Sequence, residues 1–267
     1  MTEGAAMYHT ILYDVTQVEG GSVATITLNR PERKNSIGPE MANEVLYALE
    51  NAEREDHVRV VVLTGAGSNF CAGGDLGAMT GGPVVGTLPI RGDYADLVLA
   101  MTRFTRPIIA RVEGVAMGGG LGLVAASHFA IASEKAVFAT PEIQRGLWPM
   151  MISALLARTV ARRDLLEMML LGAKMSAQEA ARLKLINRAV PVDTLDEEVL
   201  ALAKSLAVKS PTAVSRGLAA WAKQGDMALE EALPMLREEL YSLLGTDDAR
   251  EGLMAFMEKR APQWTGK

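Results

Sequence analysis

The chain has 267 residues, of which 49% are hydrophobic and 22% are charged. This balance is typical of one large packed domain, or of a domain with a small helical appendage, and it excludes a disordered chain. The net charge of −5 at pH 7 argues against general binding to nucleic acid or anionic membranes, because such binding depends on a broad basic surface.

Cysteine and histidine usage narrows the class of protein further. The single cysteine, Cys71, cannot form an intrachain disulfide, and the first residues lack a basic start followed by an apolar core. We therefore predict a cytoplasmic protein. No apolar run approaches the ~20 residues that span a bilayer, so we expect no membrane segment. The three histidines are scattered without metal-ligand spacing, which predicts no metal site.

The first part of the chain predicts strands around one helix. Two short β-prone stretches, Ile11–Gln17 and Val23–Leu28, are separated by a glycine-containing turn and predict a hairpin. Apolar residues near helical spacing predict an amphipathic helix over Pro39–Glu53. Runs rich in β-branched residues predict strands buried on both faces at Val58–Leu63 and Ile108–Val112.

The segment between these two buried strands, Gly73–Gly92, is rich in glycine and has little periodicity. Such long irregular segments are typical of binding loops or mobile lids, so we expect poor order there without ligand. After the second strand, a small-residue helix is predicted near Leu121–Ser127. Short strands follow at Phe129–Ala132 and Ala136–Ala139. The order of elements predicts a mixed α/β fold.

From Met150 onward the pattern is almost wholly helical. Helices over Leu229–Leu244 and Asp247–Lys259 complete this part of the chain. Capping boxes are predicted at Ser176–Glu179 and Thr194–Glu197, and Ser210–Pro211 predicts a helix cap followed by a first-turn proline.

Two glycine-rich turns, each preceded by a hydrophobic strand, are candidates for a ligand site. They are FCAGGDL at 70–76 and VAMGGGLG at 115–122. Glycine lets the backbone approach a substrate closely, and free N–H groups at a turn or helix start stabilise negative charge that develops on an oxygen. Either turn by itself is more simply explained by tight packing.

Six separated segments together carry a family resemblance. They are LNRP at 28–31, FCAGGDL at 70–76, RPIIARVEGVAMGGG at 106–120, FATPE at 138–142, GAKMSAQEA at 172–180 and REGLMAFMEKR at 250–260. By these motifs the chain resembles the crotonase (enoyl-CoA hydratase/isomerase) family over nearly its whole length. The resemblance implies a crotonase-like spiral of ββα units over residues 1–195. It also implies a C-terminal helical trimerisation region over 196–267, with homotrimers or dimers of trimers.

The resemblance also implies roles for individual residues. The peptide N–H groups of Gly74 and Gly119 would form an oxyanion hole for the thioester carbonyl of an acyl-CoA substrate. Glu142 would act as general acid and base, although without the match it would be an ordinary first-turn glutamate. Coenzyme A belongs to the substrate, so no separate cofactor is implied. The residues implied in CoA binding are Lys34, Ser36, Ile37, Ala72, Asp75, Leu76, Phe256 and Lys259.

One position departs from the family pattern. Gly122 stands where enoyl-CoA hydratases carry a second glutamate. Adding water to an enoyl thioester uses two carboxylates to position the water, whereas one base suffices to move a double bond. The sequence therefore favours an enoyl-CoA isomerase. The alternatives are a hydratase in which another group replaces the second carboxylate, and a non-catalytic acyl-CoA binder.

A dinucleotide-binding enzyme is a weaker hypothesis. Residues 120–125, GLGLVA, formally satisfy the glycine pattern of such sites. The acidic residue that should end the next strand about twenty residues later is not in place, because Glu134 comes too early.

Overall fold

The computed structural model describes residues 8–79 and 86–267, which form two β-sheets enclosed by helices. The larger sheet has six strands in the order β1-β2-β3-β4-β6-β9, and the smaller has three in the order β5-β7-β8. The strands are β1 (Ile11–Val18), β2 (Gly21–Leu28), β3 (Val58–Gly65), β4 (Ile108–Val112), β5 (Val115–Met117), β6 (Phe129–Ser133), β7 (Val137–Ala139), β8 (Met175–Ser176) and β9 (Arg188–Val190).

Helices link and cover these strands. They are α1 (Pro39–Arg54), α2 (Leu76–Met79), α3 (Tyr94–Arg103), α4 (Gly119–Ala126), α5 (Met150–Leu156), α6 (Arg162–Leu171), α7 (Ala177–Arg182), α8 (Leu195–Ala207), α9 (Pro211–Gln224), α10 (Leu229–Leu244) and α11 (Asp247–Glu258). Short 3₁₀ helices occur at Pro31–Arg33, Pro141–Arg145 and Val192–Thr194.

The inner strands of the larger sheet are buried on both faces, whereas the edge strand β1 is largely exposed. Strands β1 and β2 form the predicted antiparallel hairpin, and β2, β3, β4, β6 and β9 then run parallel. Along β3, Val61 and Leu63 belong to the main core, while Val60 and Val62 belong to a second core formed with α8. This explains the nearly continuous run of β-branched residues in β3, because each face of the strand meets an apolar layer.

The hairpin, α1, β3 and β4 confirm the sequence predictions to within two residues. Helix α3 was not predicted. It begins at an Asp93 cap whose side chain accepts from the Asp96 N–H, while the Asp96 side chain accepts from the Asp93 N–H. The glycine-rich run before it has little periodicity, so the sequence pattern did not indicate where this helix begins. Positions 80–85 of the predicted Gly73–Gly92 loop lie outside the described residues.

The predicted helix caps have mixed outcomes. Ser176 and Ser210 both accept hydrogen bonds from backbone N–H groups in their helices, as predicted. The capping box at Thr194 is wrong, because the Thr194 hydroxyl donates instead to the Pro191 carbonyl at 3.1 Å. A 3₁₀ turn over Val192–Thr194 runs directly into α8, so Thr194 has helical backbone geometry and its side chain does not cap α8.

The C-terminal part of the chain is not purely helical, because β8 and β9 each add two or three residues to a sheet. Helix α8 packs on the larger sheet, whereas α9, α10 and α11 pack on one another. The proposed division between 1–195 and 196–267 stays a prediction. No helix among the described residues has the length and apolar character to cross a membrane.

Candidate active site

The two glycine-rich turns lie side by side because the segments before them pair. The Phe70 N–H donates to the Glu113 carbonyl at 2.7 Å, and the Cys71 N–H donates to the Val115 carbonyl at 2.9 Å. As a result the first turn reaches the start of α4, where a Cβ on Gly73 would lie 3.7 Å from the Gly119 nitrogen. Tertiary pairing therefore brings together two motifs that are over forty residues apart.

A third segment fixes the orientation of Gly74. The Ile37 N–H donates to the Gly73 carbonyl at 2.8 Å, and the Asp75 N–H donates to the Ile37 carbonyl at 2.9 Å. In this parallel bridge the N–H of Gly74 points away from Ile37. Gly119 is the first residue of α4, so its N–H has no acceptor within the helix. Neither N–H donates to a protein group in the described parts of the chain.

Glycine is required at Gly118 for two reasons. Its φ of +50° lies in the left-handed region, which side chains rarely adopt. A Cβ at this position would also lie only 2.7 Å from Oε1 of Glu142. The lack of a side chain at Gly118 thus leaves room for the Glu142 carboxylate at the start of α4.

Glu142 reaches this position through the smaller sheet. Strand β7 runs parallel to β5, and the Gly118 N–H donates to the Ala139 carbonyl at 2.9 Å. The 3₁₀ turn at Pro141–Arg145 then directs the Glu142 side chain towards Gly118.

The Glu142 carboxyl group has an unusual electrostatic environment. Its Oε2 atom is buried and has no hydrogen-bond partner among the described residues. Burial raises the pKa of Glu142, although a backbone hydrogen bond and the Arg145 charge oppose this effect. A carboxyl group with a raised pKa, close to free N–H donors, is suited to taking up and returning a proton.

Tyr94 is a part of this site that was not predicted from the sequence. Its hydroxyl donates to the Gly119 carbonyl at 2.6 Å. A Cβ at Gly122 would overlap the Tyr94 hydroxyl oxygen and Cγ2 of Ile152. Burial raises the pKa of Tyr94 well above its usual range, and the charges of Cys71 and Glu142 add to this effect. No sequence signal marked Tyr94, because it belongs to the unpredicted helix α3.

Comparison with known families identifies the fold and the class of protein. The sequence model of the enoyl-CoA hydratase/isomerase family matches residues 19–267. The chain belongs to this family. It is therefore an enzyme of the hydratase/isomerase type, with the α/β crotonase fold that its motifs predicted.

Relatives and solved structures of the family match the chain over most of its length. A crystal structure of enoyl-CoA hydratase from Mycobacterium smegmatis is 34% identical, has a TM-score of 0.87, and is matched over 96% of this chain and 99% of that one. Carnitinyl-CoA dehydratase of Proteus mirabilis is 33% identical, covering 92% of this chain and 96% of the relative. Enoyl-CoA hydratase domain-containing protein 3, a mitochondrial protein of Rattus norvegicus, is 34% identical. The match covers 91% of this chain and 81% of the relative.

Six of the eight predicted CoA-binding residues surround the first glycine turn of this family member. The Ala72 N–H donates to the Lys34 carbonyl at 2.9 Å, which joins the segment of Lys34, Ser36 and Ile37 to the turn. Lys34 is exposed, whereas Ile37 is buried against Gly119. The side chain of Leu76 is 48% exposed.

Asp75 has partners within the chain. Its carboxylate accepts from Arg30 at 3.0 Å and from Arg33 at 3.2 Å, and it caps the start of α2. Burial alone would raise the pKa of Asp75, but the Ala78 N–H and the two arginines outweigh burial and lower it. An ionised Asp75 thus holds two guanidinium groups beside the turn, where they suit phosphate binding.

Phe256 and Lys259 lie elsewhere, at the end of α11 in the C-terminal helical layer. Helix α11 packs against α9 and α10, and the Phe256 side chain is 83% exposed. Their part in CoA binding stays a prediction.

Three potential metal ligands, His9, Glu40 and Glu44, come together near the start of β1. The Glu44 carboxylate accepts from the N–H groups of His9 and Thr10 at 2.7 and 2.8 Å and from the Thr10 hydroxyl. These bonds anchor the start of β1 to α1, which gives Glu44 a structural role. The prediction that the chain has no metal site stays a prediction.

Proposed function

We propose that the protein moves the double bond of an enoyl-CoA thioester, using Glu142 as its single acid and base. The observation that carries this proposal is the buried, unpartnered Oε2 of Glu142, whose carboxyl group lies against Gly118 at the start of α4, while the Gly122 position bears no carboxylate. Relatives named for enoyl-CoA and carnitinyl-CoA substrates support an acyl-CoA thioester.

In this proposal the thioester oxygen accepts hydrogen bonds from the N–H groups of Gly74 and Gly119. Glu142 removes a proton from the α-carbon of a 3-enoyl thioester, and the electron pair spreads over a dienolate whose charge the two donors stabilise. The same carboxyl group returns the proton at the γ-carbon, which gives the 2-enoyl thioester. Loss of one such donor typically costs ~2.7–4 kcal/mol in the transition state.

This chemistry requires neither a redox change nor a Lewis acid. We therefore propose that the enzyme uses no metal and no cofactor beyond the CoA of its substrate. The Lys34 segment, with Arg30 and Arg33 nearby, would receive the phosphate groups. We also propose that the protein acts in the cytoplasm.

The C-terminal helices support the proposal that the protein is a homotrimer or a dimer of trimers. Large apolar side chains exposed on neighbouring helices commonly mark an interface with another protein surface. The large apolar side chains exposed on α9, α10 and α11 are Trp221, Leu229, Leu233, Leu240, Tyr241, Leu244, Leu253, Met254, Phe256 and Met257.

Hydration is the second candidate function. It is favoured by the M. smegmatis structure, a hydratase with the same fold at 34% identity. In this case a group other than a residue 122 side chain must help Glu142 to position water. A non-catalytic acyl-CoA binder is the third candidate, since a fold alone does not establish activity.

The deciding experiment incubates the purified protein with matched 2-enoyl-CoA and 3-enoyl-CoA substrates in D₂O. Mass spectrometry follows addition of water, and chromatography against standards follows migration of the double bond. Glu142→Gln is the test variant, and Glu134→Gln, at an exposed position, is the control.

We expect migration without addition of water, reduced at least ~100-fold in Glu142→Gln, as for loss of a general base. Efficient hydration would replace the isomerase assignment with the hydratase one. Tight thioester binding without turnover or deuterium uptake would favour the binder. Unchanged turnover in Glu142→Gln would show that Glu142 is not the base.

A further inference from the structure

The ring of Tyr94 lies on the first turn of α4. Its Cε2 atom is 3.4 Å from the position that a Cβ on Gly119 would take, and its hydroxyl donates to the Gly119 carbonyl at 2.6 Å. A Cβ at Gly122 would overlap this hydroxyl oxygen. Residues 119 and 122 share one face of the helix, so a single tyrosine covers both positions.

The phenol therefore fills the space beside Gly122. Any side chain at residue 122 would require both Tyr94 and Ile152 to move, and a phenol ring in a packed interior cannot move without disturbing its neighbours. Gly122 and Tyr94 thus depend on each other, because the tyrosine fills the space that a carboxylate side chain at residue 122 would need.

The phenol does not reproduce the chemistry of that carboxylate. Its one proton is donated to the Gly119 carbonyl, and burial holds the group in its neutral form because its pKa is raised. It therefore offers no base to activate water.

We propose that Tyr94 is a specificity-determining residue, whose side chain fills, with its hydroxyl group, the space beside Gly122 that a second carboxylate would need, and so suppresses hydration of the enoyl thioester. This inference rests on the proposed function, because it assumes that Glu142 moves protons at the neighbouring position. It adds the reason why proton transfer there does not lead to addition of water.

The first test compares Tyr94→Phe and Tyr94→Ala in the D₂O assay. Tyr94→Phe removes the hydroxyl oxygen that overlaps a Cβ at Gly122 but keeps the ring, so the ratio of hydrated to migrated product should rise less than in Tyr94→Ala. Tyr94→Ala opens the space to water, and the ratio should rise at least ~10-fold, equivalent to about 1.4 kcal/mol between the two barriers. Leu99→Ala, at an exposed position of the same helix, is the control, and it should leave the product ratio unchanged.

Two outcomes would overturn the inference. An unchanged product ratio in Tyr94→Ala would show that the Tyr94 side chain does not exclude water. A larger rise in Tyr94→Phe than in Tyr94→Ala would show that the product ratio does not follow the volume that residue 94 fills. If Tyr94→Ala does not fold, Tyr94→Leu replaces it, because leucine keeps an apolar contact but leaves part of the volume open.

A second measurement does not depend on turnover. Gly122→Ala should lower the melting temperature of the wild type by at least ~4 °C, because the added methyl overlaps both the Tyr94 hydroxyl oxygen and Cγ2 of Ile152. In Tyr94→Ala the same substitution should cost distinctly less, because only the overlap with Ile152 remains. Gly217→Ala is the matched control, since its Cβ would meet nothing within 4 Å.

An equal loss in both backgrounds would show that Tyr94 does not occupy the space beside residue 122, and would overturn the inference. The melting temperatures test whether Tyr94 fills this space, independently of the reaction that the enzyme catalyses. A wild type without migration would contradict the proposed function, while the melting temperatures would still decide whether Tyr94 closes the position.

Discussion

At the scale of single residues, the site is defined by groups without partners. The N–H groups of Gly74 and Gly119 and the Oε2 atom of Glu142 are polar, yet each lacks a hydrogen bond within the described chain. An unsatisfied buried polar atom costs free energy, and such atoms commonly mark functional sites. Here the cost falls on Oε2 of Glu142, which is buried, because Gly74 is exposed and Gly119 is half-buried.

This cost predicts that Glu142→Gln stabilises the protein while it removes activity. A neutral amide avoids the desolvation that raises the pKa of Glu142. We expect a gain of ~1 kcal/mol in the free energy of unfolding, or ~2 °C in melting temperature. Calorimetry at fixed protein concentration measures it, with Glu134→Gln as the exposed control. A destabilised Glu142→Gln would mean that the carboxylate is well solvated.

The raised pKa of Glu142 also predicts the pH dependence of catalysis. A general base must be ionised, so kcat/KM should fall as pH falls through the pKa of the free enzyme. Because burial raises that pKa, the acidic limb should lie above the range of an ordinary glutamate. Initial rates across pH measure it. A midpoint within the ordinary range would show that the carboxyl is not desolvated when the enzyme is free.

At the scale of elements, His128, which follows α4 in the chain, is hydrogen-bonded to the start of β4. The Ile108 N–H donates to Nδ1 of His128 at 3.0 Å, which requires a neutral ring nitrogen. Burial lowers the pKa of His128 to about 4. As pH falls below about 6.5, the unfolded chain takes up a proton at this residue before the folded chain does.

The free energy of unfolding should therefore decrease as pH falls from about 6.5 towards 4. Between pH 7 and pH 5 we expect a loss of about 2 kcal/mol from this residue, taking ~1.4 kcal/mol per pKa unit. Urea unfolding at both pH values, compared between wild type and His128→Gln, isolates the contribution. The same pH dependence in both proteins would rule out His128 as its source.

Individual strands and helices also show which parts of the fold can be predicted from the sequence. Strand β3 was predicted because its β-branched run meets apolar layers on both faces, and α1 because its apolar residues repeat at helical spacing. Helix α3 and strand β9 were missed. The first follows a glycine-rich stretch, and the second has only three residues, which is too short for any periodicity.

At the scale of the whole molecule, the exposed apolar side chains of α9, α10 and α11 predict self-association. Trp221, on α9, is 68% exposed. A charge placed there should weaken an interface that desolvates it. For Trp221→Asp we expect the concentration of half-dissociation to rise at least ~10-fold, or about 1.4 kcal/mol.

Sedimentation velocity over a dilution series measures this change. Ala219→Asp is the matched control, because it also adds one negative charge at an exposed position two residues away, on another side of the helix. A monomeric wild type would contradict the trimer proposal, and equal effects of both substitutions would show that Trp221 is not at the interface.

The sequence by itself determined the family, the α/β class and the likeness of Glu142, Gly74 and Gly119 to a catalytic set, because ordered motifs and apolar periodicity are local properties of the chain. Only the tertiary structure decided that Glu142 lies beside Gly118 with an unpartnered oxygen. It alone revealed that Tyr94 closes the space at Gly122. The physical reason is that pKa, partnership and free volume depend on neighbours brought together from distant segments, and no local pattern records which neighbours those are.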